Sequence, residues 1–302
     1  MATDWESTFT AWTKPSSDTE AAKSENAERM IKDAIAEHSA LDGCNVKVFA
    51  KGSYQNNTNV RLDSDVDICV CSTDVLFSDF SQAVGFTKED VGLGPAPYTY
   101  ADFKNAVENA LVAKFGRNGV TRGKKAFDVH PNSYRVDADV VACFEHRRYL
   151  SRLPLGGFHY LTGTQFVSDT GDVVVNWHQQ QFDNGVAKNN ATGKRYKWIT
   201  RVLKRLRNKM NDEGIEAAGP IPSFLIECLA WNAPNDCYGR DTYKADVRAV
   251  LASTFNATIK DETCSEWGEV NELKYLFRKP QPWTREQAHA FLGAAWDYIG
   301  FE

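Results

Sequence analysis

Residues 52–71 read GSYQNNTNVRLDSDVDICVC, and the second half of this stretch decides the fold. Asp65-Val66-Asp67-Ile68-Cys69-Val70-Cys71 has the composition of a β-strand. Strand side chains alternate between faces, so Asp65 and Asp67 share one face while Val66, Ile68 and Val70 share the other and can anchor in a core. Two carboxylates held this close repel, and both ionise comfortably only with a cation between them. A hard, oxygen-seeking ion such as Mg²⁺ fits that need. An isolated D-x-D is more commonly a solvated strand face. A calcium loop over Asp63, Asp65 and Asp67 is excluded, because Ile68 stands where glycine is required and no suitably spaced glutamate follows.

The neighbourhood of the strand moves the reading away from a solvated face. Val46–Ala50 reads as a preceding strand, and Gly52-Ser53 stands at its exit. Glycine lets a phosphate approach the backbone, serine adds a hydroxyl donor, and a helical turn starting there would aim free N–H groups at the phosphate. Arg135–Phe144 reads as a further strand carrying Asp137 and Asp139 on one face. Periodicity does not choose between these two. Acids from two strands beside a Gly-Ser make a two-metal site for phosphoryl transfer.

Outward from this centre, Pro15-Ser16-Ser17-Asp18 separates two helices, the second with Ala27, Met30, Ile31, Ala34 and Ile35 at helical spacing. A helix follows the Val91–Pro97 loop, with Phe103, Ala106, Val107, Ala110 and Leu111 on one stripe. Lys125–Val129 reads as a strand, and residues 165–167 and 173–175 as a hairpin turning at Asp169-Thr170-Gly171-Asp172. Beyond about residue 178 helices dominate: Tyr196–Met210 with Ile199, Val202, Leu203 and Leu206 buried, one starting near Ser223, and a last one capped by Thr284 and Gln287. The fold class is therefore α+β, with a mixed α/β domain over 1–175 and a helical domain over 176–302.

Composition narrows the function. The chain has 302 residues, 42% hydrophobic and 25% charged, and no run approaching the ~20 apolar residues of a membrane helix. The start, MATDWESTFTAW, lacks the basic and apolar segments of a signal peptide, so a cytoplasmic protein is expected. Seven cysteines without a CxxC read as buried free thiols, and six histidines without HxxxH or HExxH exclude zinc hydrolysis. A net charge of -5 favours small nucleotides over a long nucleic-acid template. Against that acidity, Lys197, Arg201 and Lys204 share one helix face, and no carboxylate lies between Lys194 and Asn211 to balance them. Such a face is often merely solvated, but the imbalance favours an anionic ligand.

These residues resemble the polymerase-β-like nucleotidyltransferase superfamily, whose pattern is Gly-Ser, a D-x-D strand and a third acid on a neighbouring strand. Within it, the chain resembles the bacterial cGAS/DncV-like nucleotidyltransferases, the CD-NTases of CBASS antiphage systems. Four motifs occur in that family's order: Gly52-Ser53-Tyr54 through Asn57-Thr58-Asn59-Val60 to Ser64-Asp65-Val66-Asp67; His178 through Asn184-Gly185-Val186-Ala187-Lys188-Asn189; Tyr196-Lys197, Arg201 and Lys204; and Pro222-Ser223-Phe224-Leu225-Ile226-Glu227-Cys228-Leu229.

The resemblance implies a polymerase-β-like palm packed on a helical domain. It implies Asp65, Asp67 and Asp139 as ligands of two Mg²⁺ ions, for which Mn²⁺ can substitute. Gly52, Ser53, Lys197, Arg201, Lys204 and Ser223 become candidate nucleotide contacts, with Lys204 and Ser223 on the donor triphosphate. Asn184 is a candidate reader of a base edge, uracil in particular, although Asp183-Asn184-Gly185 is also a strong turn signal. The implied activity is condensation of NTPs, ATP with GTP, UTP or a second ATP, into a cyclic oligonucleotide, a cyclic dinucleotide first and uridine among its candidate bases. Its product would act on a separate effector, alongside CBASS accessory proteins and away from membranes. Rival readings are a poly(A)-type, CCA-adding, oligoadenylate-type or small-molecule transferase on the same fold, and a non-catalytic nucleotide-binding protein.

Overall fold

The computed structural model describes residues 3–15, 17–60 and 65–302. Ser16 of the helix-separating signal, and Arg61, Asp63 and Ser64 of the loop before the D-x-D strand, lie outside the described residues. The chain divides into two compact units: Ser17–Gln55 with Arg61–Gln179, and Met1–Ser16 with Asn56–Val60 and Gln180–Glu302. The first helix, α1 (Trp5–Trp12), thus belongs with the C-terminal helices, because Trp5 and Phe9 are buried in their core.

The first unit is a seven-stranded sheet among the described residues. β1 (Val46–Ala50) pairs antiparallel with β2 (Val66–Asp79), which pairs parallel with β5 (Ala138–Arg152). The front of β5 pairs with β4 (Phe127–Val129), itself bordered by β3 (Val120–Arg122). Its rear pairs with β6 (Phe158–Val167), which forms the expected hairpin with β7 (Val173–Asn176), Val167 opposite Val173. Val66, Ile68 and Val70 pack with Val140 and Ala142 under α2 (Asp18–Ala36) and α4 (Tyr100–Phe115), through Ala27, Ile31, Phe103, Val107 and Leu111. Each such burial contributes about 1.5–3 kcal/mol for a large aliphatic or aromatic side chain, and together they fix which face of β2 looks inward.

On the opposite face lie Cys69, Cys71, Val141, Cys143 and Phe166, a second buried cluster. All seven cysteines are free and six are buried, as their count and spacing predict. β2 and β5 run well beyond the apolar stretches that announce them. Their extensions pair with each other across a register shift between Ser72 and Leu76, and an Arg148–Asp79 ion pair of 2.7 Å ties them.

The second unit takes up α5 (His178–Ala191) from Gln180 on, and in it α6 (Arg195–Asp212), α7 (Ser223–Asn232), α8 (Tyr243–Thr258) and α9 (Arg285–Ile299) surround one core. Ile199, Val202, Leu203 and Leu206 of α6 are buried there as their spacing requires, against Leu225, Leu229, Val250, Leu251, Phe291 and Leu292. The capping box of Thr284 and Gln287 forms at the head of α9. The turn expected at Asp183-Asn184-Gly185 does not form, because these residues lie inside α5. A glycine inside a helix costs about 1 kcal/mol relative to alanine. Here the helix persists because Gly185 is buried and Asn184 donates Nδ2–H to the Val270 carbonyl at 2.8 Å.

Candidate active site

Strand register assembles the carboxylates. Asp67 of β2 stands directly opposite Asp139 of β5, and Asp139 directly opposite Asp128 of β4. Residues paired across neighbouring strands share a face, so three carboxylates form one row across three strands. Asp65 immediately precedes β2. Asp137, which periodicity could not separate from Asp139, falls just outside β5 and uses its backbone carbonyl to accept the Val66 N–H at 2.9 Å. The register therefore makes Asp139 the neighbour of Asp67.

The charges strain against one another. Burial first, then the charges of Asp65, Asp67 and Asp128, push the Asp139 carboxyl up to about 6. Asp65 is raised by burial and by Asp137, Asp128 and Asp67. Asp128 was not a sequence candidate. Its only signal is the alternation Phe127-Asp128-Val129, buried–exposed–buried, in a strand of three residues.

Asp67 is shaped by the chain before it. Lys51 Nζ lies 3.6 Å from Asp67 Oδ1, and the Lys51 N–H donates to the Asp67 carbonyl at 2.8 Å. Gly52 follows at φ +68°, opening the one-turn α3 (Gly52–Gln55). A Cβ on Gly52 would stand 2.3 Å from Asp67 Oδ2. The space a side chain would fill at Gly52 is therefore held by the Asp67 carboxylate. Ser53 is half-buried behind it.

Among the described residues, no three His, Cys, Asp or Glu side chains stand together as a ready ligand set, consistent with Asp67 leaning on Lys51. The donor chemistry still fits a hard divalent cation: every group is an oxygen anion, and Asp65 and Asp139 are held above their usual ionisation range by burial and by the neighbouring carboxylates. Asp128→Asn should weaken Mn²⁺ binding about fivefold through loss of one nearby charge, read by calorimetric titration. Unchanged affinity would exclude Asp128 from the site's electrostatics.

Beyond the carboxylates on the same face, His178 Nε2 lies 3.7 Å from Cys69 Sγ and 2.8 Å from Thr164 Oγ1. His178, the start of the second motif, thus abuts the thiol cluster at the first residue of α5.

The basic face of α6 is not the solvated face its sequence allowed. Arg201, 2% exposed, donates Nε–H to the Thr13 carbonyl at 2.7 Å and Nη1–H to the Asn57 carbonyl at 2.5 Å. Lys204, also 2% exposed, pairs with Glu227 of α7 at 2.8 Å. Neither is a solvated cation, because the missing counter-charge and acceptors come from elsewhere in the chain. Lys197 is half-buried, its Nζ 5.7 Å from the centre of the Phe182 ring, and burial lowers its pKa. Ser223 Oγ accepts from Arg207 Nη2 at 2.5 Å.

Residues 183–300 match the C-terminal helical domain of cGAS/DncV-like nucleotidyltransferases. The chain is 47% identical over 299 residues to a cyclic dipyrimidine nucleotide synthase CdnE of Legionella pneumophila, covering 99% of each. It is 40% identical over 302 residues to the enzyme of that name from Cecembia lonarensis, covering 100% of each. Its structure is similar to that of the Rhodothermus marinus CdnE c-UMP-AMP synthase with Apcpp and Upnpp, with a TM-score of 0.84, 29% identity and 98% of each chain covered. The chain belongs to the cGAS/DncV-like nucleotidyltransferases, in their CdnE clade, and is a cyclic nucleotide synthase.

Proposed function

We propose that this cyclic dinucleotide synthase joins two NTPs, at least one of them UTP, at a Mg²⁺ site held by Asp65, Asp67 and Asp139. The observation that carries the site is the register that sets Asp67 beside Asp139. The pyrimidine rests on the two full-length relatives that are cyclic dipyrimidine nucleotide synthases. When bound, Mg²⁺ would lower the pKa of the attacking ribose hydroxyl and offset the charge of the leaving pyrophosphate, with Mn²⁺ a substitute.

The chain's own residues do the rest. Lys51 steadies Asp67 against its neighbours' repulsion. Gly52 keeps space open beside Asp67, and the Ser53 hydroxyl can donate to a phosphate oxygen. Lys197, Lys204 and Ser223 bind the donor triphosphate, whereas Arg201 is committed to backbone carbonyls and serves the scaffold. Asn184 has its Nδ2 engaged by Val270, which leaves its Oδ1 as the group to accept a pyrimidine N–H. The enzyme acts in the cytoplasm, and its product activates a separate effector in antiphage defence. No helix among the described residues is long and apolar enough to cross a membrane.

Incubation with all four NTPs and Mg²⁺, then phosphatase digestion and mass spectrometry, tests this reading. The expected product is a phosphatase-resistant cyclic dinucleotide containing uridine. A linear product with free phosphates would sink it in favour of another transferase chemistry. A cyclic product made only of purines would overturn the base assignment alone.

A further inference from the structure

Lys204 and Glu227 form a closed cluster in the helical unit. Lys204 Nζ donates to Glu227 Oε2 at 2.8 Å, to Thr58 Oγ1 at 3.1 Å and to the Thr58 carbonyl at 3.2 Å. Thr58 Oγ1 in turn donates to Glu227 Oε2 at 2.7 Å, and Gln181 Nε2 to Glu227 Oε1 at 3.0 Å. A lysine ammonium has three N–H donors, and all three of Lys204's are taken. Glu227 is 3% exposed. Burial works against its charge, but Lys204, Thr58 and Gln181 outweigh that and keep its pKa low. Ser223 lies four residues before Glu227 on the same face of α7. A phosphate oxygen can therefore engage Lys204 only by displacing an existing partner.

We propose that Glu227 is a positioning residue for Lys204 and sets the affinity for the donor nucleotide, because the triphosphate must draw a donor of Lys204 away from Glu227 or Thr58. This inference rests on the reading that Lys204 binds the triphosphate. Glu227 holds the ammonium in place and neutralises it between turnovers, and it opposes the incoming anion by the strength of one charge-assisted hydrogen bond. Gln at this position keeps the shape and an acceptor but leaves Lys204 a buried cation without a counter-charge. That destabilises the nucleotide-free chain and favours any anion that can reach it.

The test is calorimetric binding of the α,β-methylene analogues of ATP and UTP, with AMP and UMP as controls, to wild type, Glu227→Gln, Thr58→Val and Lys204→Gln. Glu227→Gln should bind the triphosphates about tenfold more tightly, the size of one charge-assisted hydrogen bond, with monophosphate affinity unchanged. Its melting temperature should fall by about 5 °C or more without nucleotide and rise further than wild type with it. Thr58→Val should shift affinity in the same direction by a smaller factor, and decides the matter if Glu227→Gln does not fold. If Lys204→Gln weakens triphosphate binding while the folded Glu227→Gln and Thr58→Val variants do not tighten it, Glu227 is structural only and the Lys204 reading stands. If Lys204→Gln binds triphosphates as wild type does, the reading beneath the proposal is the one that fails.

Discussion

Asp139→Asn, assayed with labelled NTPs and saturating Mg²⁺, should lower cyclic dinucleotide formation by about 10³-fold or more, the size expected for losing one charged ligand of a catalytic cation. Asp65→Asn and Asp67→Asn should do the same. The loss should come without loss of fold. Asp139 is held at a pKa of about 6, above the ordinary ~3.9 of an aspartate, so its ionised form is disfavoured in the metal-free chain. Between those two values the folded chain holds a proton that the unfolded chain has released. The metal-free protein should therefore gain stability from this group as pH falls from about 6 towards 4, and lose that gain as pH rises back through about 6. Asp139→Asn removes the titration, so its melting temperature at neutral pH should equal or exceed that of wild type and lose this pH dependence. A cation competes with the proton for the same oxygens, so the Mg²⁺ requirement of wild type should steepen below about pH 6. Full activity in Asp139→Asn would remove Asp139 from the mechanism and reopen the choice of Asp137.

Gly52→Ala should lower kcat about 10²-fold or more while costing the fold only ~1–2 kcal/mol. The two effects have separate causes. An alanine at φ +68° pays a modest backbone penalty. Its Cβ would also stand 2.3 Å from Asp67 Oδ2, closer than any real contact, so the carboxylate must swing away from its place beside Asp139. Misplacing a reacting or ligating group by about 1 Å commonly costs two orders of magnitude. Gly43→Ala is the control. Gly43 has φ +78°, and a Cβ added there would meet nothing within 4 Å, so it bears the backbone penalty alone and should leave kcat unchanged. Equal activity losses in the two variants would show that backbone strain, and not the Asp67 contact, accounts for the Gly52 effect.

The parts of this protein legible in its sequence are those governed by local periodicity. Val66, Ile68 and Val70 lie in the core because strand side chains alternate, and Ile199, Val202 and Leu206 because helical ones recur. The Thr284–Gln287 cap and the hairpin closing on Val173 follow from short-range hydrogen bonding. Local signals misled where a distant partner was stronger. Asn184-Gly185 has turn chemistry, yet burial of Gly185 and the Val270 carbonyl hold it in a helix. The solvated reading of the α6 face failed for a like reason: Arg201 and Lys204 are buried against Thr13, Asn57 and Glu227, partners that no local pattern shows.

That Asp67 faces away from Val66, Ile68 and Val70 was determined by the sequence alone, because a period of two is a property of one strand. So was the identity of the core face beneath it. Which acids join it was decided only in three dimensions. Register between strands far apart in sequence depends on packing and hydrogen bonding over the whole sheet, and it set Asp139 rather than Asp137 beside Asp67 and brought in Asp128. The same holds for Lys204: its charge is written in the chain, but its three partners are not, since a buried cation takes whatever acceptors the folded core brings to it.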